Sequence, residues 1–391
     1  MGDVCSQLSD GLHKAPKFKL GGDYIFVNAK NISNGFIVDN DLTKKSTHEE
    51  YLKYSSPLDD TSILYSIDGT IGNVALYRGE KVILGKGACY LNPMPNILDR
   101  FFLYYELLSP RFKAYIDKMS TGSTIKHISL KTMRNYSFVA PPLQQQRQIA
   151  CILSSIDNKI TCNRQINDNL LQQADALFKS WFVDFEPFKN GEFEESGLGF
   201  IPKGWNVYEF GRVLSPVNEK VGDRVVTEYS VGNTGIRSRS DIYHKAICSN
   251  PEKNRIIRRG NLVFGMGNDR VIWGIMKDEI GATSPAYPAY KIDESIDYIY
   301  FEFFFKHYYA QAKDLIRPSV RQGQTIDKGA LMQKKIYVPS KNVWDRFLHI
   351  HNPIIETSRC VEIESDCLSE LRDVLLPRLM SGELKVREMN A

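Results

Sequence analysis

The sequence predicts an α+β fold: two similar globular modules in a pseudo-twofold arrangement, separated by two long helices that pair as an antiparallel coiled coil. The first observation behind it is a repeat. Gly122-Ser123-Thr124-Ile125 returns as Gly323-Gln324-Thr325-Ile326, Ile63-Leu64-Tyr65 as Leu262-Val263-Phe264, and Phe138-Val139-Ala140-Pro141 as Ile336-Tyr337-Val338-Pro339. Leu170 and Leu177 return as Leu368 and Leu375. The period is about 200 residues, far beyond the roughly 20–50 of a solenoid unit, so it marks a duplicated domain with its connector. The second observation is a heptad seam after each module. The third is the texture between seams, short apolar runs punctuated by glycine, which reads as strands and turns.

Taken in order, residues 1–141 form the first module. Tyr24-Ile25-Phe26-Val27, Ile63-Leu64-Tyr65 and Val82-Ile83-Leu84 are its predicted strands, and Phe101 to Ile116 its predicted helix. Pro141-Pro142 closes it, because Pro142 can open a helix but not continue one. The second element, residues 142–187, carries Ile149, Leu153, Ile156, Ile160, Asn163, Asn167, Leu170, Ala174, Leu177 and Trp181 at alternating spacings of four and three. A helix from Leu143 to Phe185 would be roughly 65 Å long at 1.5 Å per residue. Alone it would be unstable in water, so a second helix must cover its seam.

Residues 188–204 read as a linker, and residues up to 339 repeat the texture of the first module. Residues 340–391 supply the second helix and a tail, with Phe347, Ile350, Ile354, Val361, Leu368, Leu371, Leu375 and Leu379 as its seam. Pro353 is expected to kink or delay this helix and Pro377 to disturb its last turn, with Ser381-Gly382 as the stop. Asn163 and Asn167 either fix the register of the pair or lie at an exposed end of the seam.

Composition narrows the function. The chain has 391 residues, 42% hydrophobic and 25% charged, with a net charge of +4. This is ordinary for a globular protein and permits nucleic-acid binding without requiring it. Seven dispersed cysteines without zinc-type pairing read as reduced thiols, and no apolar run is long enough to cross a bilayer. A cytoplasmic protein without membrane contact is expected.

Enzymatic signatures are missing. Phe264-Gly265-Met266-Gly267 follows a strand, but Arg270 stands where a dinucleotide loop needs glycine, so it reads as a hairpin turn. Gly87 stands where a phosphate loop needs Ser or Thr after Gly85-Lys86. His349 and His351 are two apart and cannot share a ligand on a helix. No nucleophile elbow occurs, and no N-P-P-[YF] tetrapeptide that would grip an extruded adenine. No catalytic residue and no metal site is expected.

Duplex DNA suits two similar but non-identical modules. The doubled Gly-x-Thr-Ile loop is the first candidate surface: Ser123, Thr124, Lys126 and His127 in one copy, Arg317, Arg321, Gln322, Gln324 and Thr325 in the other. Hydroxyl, amide and basic groups on a glycine-loosened loop match base edges and phosphates, although a polar turn required by the fold would look the same. The second candidate is basic density at Arg237, Arg239, Lys253, Arg255, Arg258 and Arg259, with Arg270 beyond. Lys14, Lys17, Lys19, Lys44 and Lys45 are its counterpart in the first module. The aromatic block from Tyr298 to Tyr309, like Phe101 to Tyr105, reads as core packing rather than base stacking.

At the first helix the residues resemble a known family. Ala140-Pro141-Pro142-Leu143-Gln144-Gln145-Gln146-Arg147-Gln148-Ile149 is similar to the start of the long helix in specificity subunits of type I restriction–modification systems. Ala176-Leu177-Phe178-Lys179-Ser180-Trp181-Phe182-Val183-Asp184-Phe185 looks like its end, and Leu371 to Glu383 like the close of the second helix. Asp68-Gly69-Thr70-Ile71-Gly72 and Ile201-Pro202-Lys203-Gly204-Trp205 resemble turns of the family's recognition domains. Gln145 departs from the family's glutamate, and Asn342 to Arg346 with Pro353 depart from a clean repeat.

The resemblance implies a non-catalytic DNA reader. Each module would be a target-recognition domain for one half of a bipartite, asymmetric sequence. The helices, pairing through Ile149, Leu153, Ile156, Ile160, Asn163, Asn167, Leu170 and Leu177 on one and Ile354, Val361, Leu368 and Leu375 on the other, would form an antiparallel coiled coil that spaces the half-sites and would also dock two methylation subunits. S-adenosylmethionine, ATP and Mg would be held by those partners and by restriction/translocase subunits, with no cofactor on this chain. The alternatives are a coiled-coil scaffold that never touches DNA and a self-contained DNA methyltransferase.

Overall fold

The computed structural model describes residues 1–120, 126–240, 250–267, 270–318 and 324–386, with backbone alone at 317, 318, 324 and 325. The chain divides into two compact units, one built from Met1–Ile166 with Cys360–Ala391, the other from Asn167–Arg359.

In the first unit a four-stranded antiparallel sheet orders Cys5–Asp10, Ala88–Pro93, Ile63–Ser66 and Val74–Leu76 side by side. The second unit repeats that order with Leu214–Pro216, Ala289–Ile292, Leu262–Phe264 and Trp273–Ile275. Beside each lies a second sheet with one parallel pair, Tyr24–Val27 with Val82–Leu84 and Glu228–Gly232 with Ile280–Thr283. Helix starts repeat too. Asp99 and Asp297 accept from the first-turn amides of Arg100–Leu108 and Tyr298–Tyr308. Ser129 and Asp327 do the same for Leu130–Asn135 and Lys328–Gln333, each cap contributing about 1 kcal/mol.

The helix expected over Phe101–Ile116 is two, Arg100–Leu108 and Pro110–Met119. Ser109 ends the first and caps the second, and Pro110 takes the opening position, where a missing N–H costs nothing. The stretch expected to be a linker also has structure of its own: Phe193–Ser196 pairs with Gly199–Pro202 as a hairpin. Both aromatic blocks are core, with Phe102, Tyr105, Tyr300, Phe301, Phe304 and Phe305 buried.

The long helices are Leu143–Phe182, 40 residues, and Lys341–Ser381, 41 residues. The second runs unbroken through Pro353 and Pro377, so Pro353 does not delay its start and Pro377 does not end it. Each proline removes one donor from a helix whose neighbouring turns stay bonded, and packing along one face carries most of its stability. It stops at Gly382, whose φ of 77° only glycine adopts without strain.

Within the first unit the two helices run antiparallel: Asp157 accepts from Arg372 at 3.0 Å and Asn163 donates to Glu364 at 2.7 Å. Ile149 and Leu153 bury among Leu376, Leu379 and Met380 and join the module's own core. Within the second unit the sense is the same, since Ser358 donates to Asn167 while Trp181 packs its ring 5.8 Å from Phe347. Asn163 and Asn167 thus lie inside the seam, not at an exposed end.

Ile156, Leu170 and Leu177 are half-buried, as are Ile354, Val361, Leu368 and Leu375, while Ile160 is buried. Ile350 and Leu371, expected in the seam, are nearly half exposed. The face that is covered carries Phe347, His351, Ile354, Ser358, Val361, Ser365, Leu368, Arg372, Leu375 and Leu379, a strict alternation of four and three. Polar residues at four of these positions hide the row from a search for apolar ones.

Candidate nucleic-acid interface

In the first unit, strand Ile63–Ser66 runs into the turn Asp68-Gly69-Thr70-Ile71-Gly72 before the chain returns along Val74–Leu76. Gly69 and Gly72 hold φ of 71° and 103°, conformations that side chains resist, so the turn is tight by sequence. It grips the exit of the Gly-x-Thr-Ile loop. The amide of Gly69 donates to Lys126 O at 3.2 Å and that of Ile128 to Ile67 O at 2.9 Å. His127 Nδ1 lies 3.6 Å from Asp68 Oδ1. Directly after, Ser129 caps its short helix. The loop's far end is therefore fixed by backbone bonds on both sides of His127.

Lys126 is exposed, 3.7 Å from Asp117, a surface pairing that leaves its charge available to a ligand. Ser123 and Thr124 lie outside the described residues.

The second unit places the corresponding parts together. Ile316–Pro318 pairs antiparallel with Gln324–Ile326, which sets Arg317 across from Thr325 and Pro318 across from Gln324 in the backbone register. Arg321 and Gln322 lie outside the described residues. Leu315, Ile316 and Ile326 line one crevice with Gly265, Gly267 and Arg270, so the turn after Leu262–Phe264 sits against the loop's flank. Strand Leu262–Phe264 pairs with Trp273–Ile275, so Gly265-Met266-Gly267 belongs to a hairpin connection. A Cβ on Gly265 would come within 2.7 Å of Val231 O, so only glycine lets the Glu228–Gly232 strand approach. Arg270 is exposed beside this turn.

The two units thus share one arrangement: a glycine turn after a core strand, pressed against the flank of the repeated loop. Sequence reading found the loop and each turn separately but not their meeting. The shared spacing of about 200 residues between the two turns, like that between the loops, was the available signal.

The basic residues of the second unit divide. Arg237 is exposed on strand Gly235–Ser238, and Arg239 is half-buried with its amide bonded to Glu228 O at 2.8 Å. Arg255 is turned inward and donates to Tyr287 O; burial lowers the pKa of its guanidinium. Arg258 and Arg224 both bond Glu219, and together hold its carboxyl at about 2. Arg255 is thus turned into the fold, whereas Arg258 stays exposed while paired with Glu219. Among the described residues no group of His, Cys, Asp and Glu is placed to hold a metal, and no helix is long and apolar enough to cross a membrane.

Comparison with known proteins finds relatives of one kind. Residues 1–172 match the family described as the type I restriction modification DNA specificity domain. The MjaIX specificity subunit of Methanocaldococcus jannaschii is 25% identical over 94% of this chain and 88% of its own length. The HindI specificity subunit of Haemophilus influenzae is 26% identical over 48% of this chain and 41% of its own. Among solved structures, the S subunit of a type I restriction-modification system from M. genitalium covers 97% of this chain and 94% of that one at TM-score 0.52 and 15% identity, a likeness of fold.

Proposed function

We infer that this chain is a specificity subunit of a type I restriction–modification system, a DNA-sequence reader, and that each unit reads one half of a bipartite, asymmetric target. The observation that carries the inference is the duplicated pairing of glycine turn and Gly-x-Thr-Ile loop. Both copies carry hydroxyl, amide or basic side chains at the loop beside that turn, the groups that phosphates and base edges require. In the first unit the reading residues are Ser123, Thr124, Lys126 and His127. In the second they are Arg317, Arg321, Gln322, Gln324 and Thr325, with Arg237, Arg239 and Arg270 on phosphates. Such groups supply both the phosphate contacts that set register and the base-edge contacts that carry sequence information.

The chain itself performs no turnover in this reading. Two methylation subunits dock on the paired helices and hold S-adenosylmethionine, and restriction/translocase subunits bring ATP and Mg. Extrusion of the target base belongs to the methylation subunit. The test is to incubate the purified chain with duplex DNA and labelled S-adenosylmethionine. Salt-sensitive DNA binding without methyl transfer is expected, and methyl transfer restored by the partner subunits. Robust transfer by the chain alone, or binding indifferent to salt, contradicts the reading.

A further inference from the structure

The first unit exposes large apolar side chains where a folded domain normally hides them. Leu20 is fully exposed and Leu42 is 92% exposed, each at the tip of its own loop. The loops are held together by backbone: Lys19 N donates to Lys45 O at 2.8 Å, and Phe18 bridges Ser46. The flanks of the two loops are thus bonded to each other. Phe18, itself 40% exposed, lies between them, with Lys44 Nζ 4.8 Å from its ring centre. That contact holds the ammonium beside the apolar group.

Charge surrounds the tips. Among the described residues no ion pair holds Lys17, Lys19 or Lys44, whereas Lys45 is spent on Asp39 at 2.8 Å. Asp23 and Asp41 are the remaining acids of the two loops, and the buried Glu50 carboxylate is taken up by the Lys17 amide at 2.9 Å. An exposed patch of leucine and phenylalanine rimmed by unspent lysines needs a partner that is both polyanionic and able to accept apolar wedges.

The first of the two loops starts beside the elements described above. Leu12 bridges Gly85, and its amide donates to Leu84 O at 2.7 Å. Two residues on, the Gly87 carbonyl accepts from Ile67 at 3.0 Å, and a Cβ on Gly87 would lie 3.7 Å from Asp68, the partner of His127. Backbone contacts thus tie the start of the Leu20 loop to the turn that holds the Gly-x-Thr-Ile loop.

We propose that Leu20 and Leu42 are wedges that enter the minor groove of duplex DNA, with Lys17, Lys19 and Lys44 neutralising the phosphates beside them. The proposal rests on the DNA-reading function inferred above and adds to it a second contact that senses how readily the duplex deforms. Minor-groove proteins insert leucine or phenylalanine against base steps and bend the duplex in this way, so sequence is selected at steps the loop never touches.

The test uses the full chain and a mixed-sequence duplex labelled at both ends for energy transfer. Replacing Lys17, Lys19 and Lys44 together by alanine should reduce the slope of log affinity against log salt by about 3, near one unit per phosphate lost. Leu20→Ala with Leu42→Ala should keep the salt slope, weaken binding on the order of tenfold, and lengthen the end-to-end distance of the bound duplex. All five positions are on the surface, and unchanged thermal midpoints would confirm intact folding. Wild-type slope in the lysine variant, or wild-type bending in the leucine variant, overturns the proposal while leaving the reader function standing. Loss of salt-dependent binding from the wild-type chain itself would instead remove the function on which it rests. Vesicles of phosphatidylcholine with phosphatidylserine form the control arm: leucine-dependent vesicle binding with unaltered DNA bending would assign the patch to a lipid surface and overturn the proposal.

Discussion

Asn163 donates its side-chain amide to Glu364 at 2.7 Å, while its own Oδ1 is buried without a hydrogen-bond partner among the described residues. Glu364 also pairs with Lys159 at 3.1 Å, and both neighbours lower the pKa of its carboxyl. A half-satisfied amide inside an apolar seam costs stability and restricts the partner to one register. Asn163→Leu is therefore expected to keep or raise the denaturation midpoint. Asn163→Asp sets a second carboxylate against Glu364 and is expected to lower the denaturation midpoint, read by chemical denaturation.

A second buried polar cluster holds the first module together. Glu106 is wholly buried, bonded by Arg111 Nε at 2.7 Å and by the Tyr136 hydroxyl at 2.5 Å. Arg111→Ala strands the carboxylate, and a loss of about 3–5 kcal/mol in unfolding free energy is expected. Glu106→Gln with Arg111→Met should recover much of it.

His351 gives the second unit a pH dependence of known sign. Its ring is stacked 5.1 Å from Phe347 and edge-on to Phe303, and its Nε2 finds no partner among the described residues. Burial lowers its pKa, against smaller opposing effects from Asn352 and Asp297. With the folded value depressed, the unfolded chain binds the proton first as pH falls. Stability should thus be level above the usual imidazole value of about 6.5 and decline below it. His351→Phe is expected to flatten that decline in thermal melts between pH 7 and 5; an unaltered decline would place its origin elsewhere.

Recognition should separate from assembly at the second loop. Gln324→Ala is expected to relax or abolish discrimination at the second half-site and to leave complex formation with the methylation subunits intact. Binding measured on a target set with substitutions in one half at a time checks this. Unchanged discrimination would take Gln324 out of the reading surface.

Much of the fold was legible because duplication writes each feature twice. The strands at Tyr24, Ile63 and Val82 and the first seam from Ile149 to Trp181 follow from periodicity alone. The second seam followed in part: Phe347, Ile354, Val361, Leu368, Leu375 and Leu379 lie on the covered face, but His351, Ser358, Ser365 and Arg372 also occupy it while Ile350 and Leu371 point outward. Hydrophobicity marks a helix face only where its partner is apolar too. The break at Ser109–Pro110 was written in a cap and a helix-opening proline, and an unbroken run of apolar residues masked it. The site was legible as residue types and not as contacts. Nothing in the sequence says that Arg258 is absorbed by Glu219, or that the turn at Gly69 clasps Lys126, since both depend on segments distant in the chain.

The central claim is that each unit reads its own half of one DNA target. Replacing residues 1–141 with the corresponding module of another specificity subunit, then mapping methylated adenines across the host genome, tests it most directly. The expected result is a new target in which one half has changed and the other is retained. A target altered in both halves, or in neither, would contradict the claim.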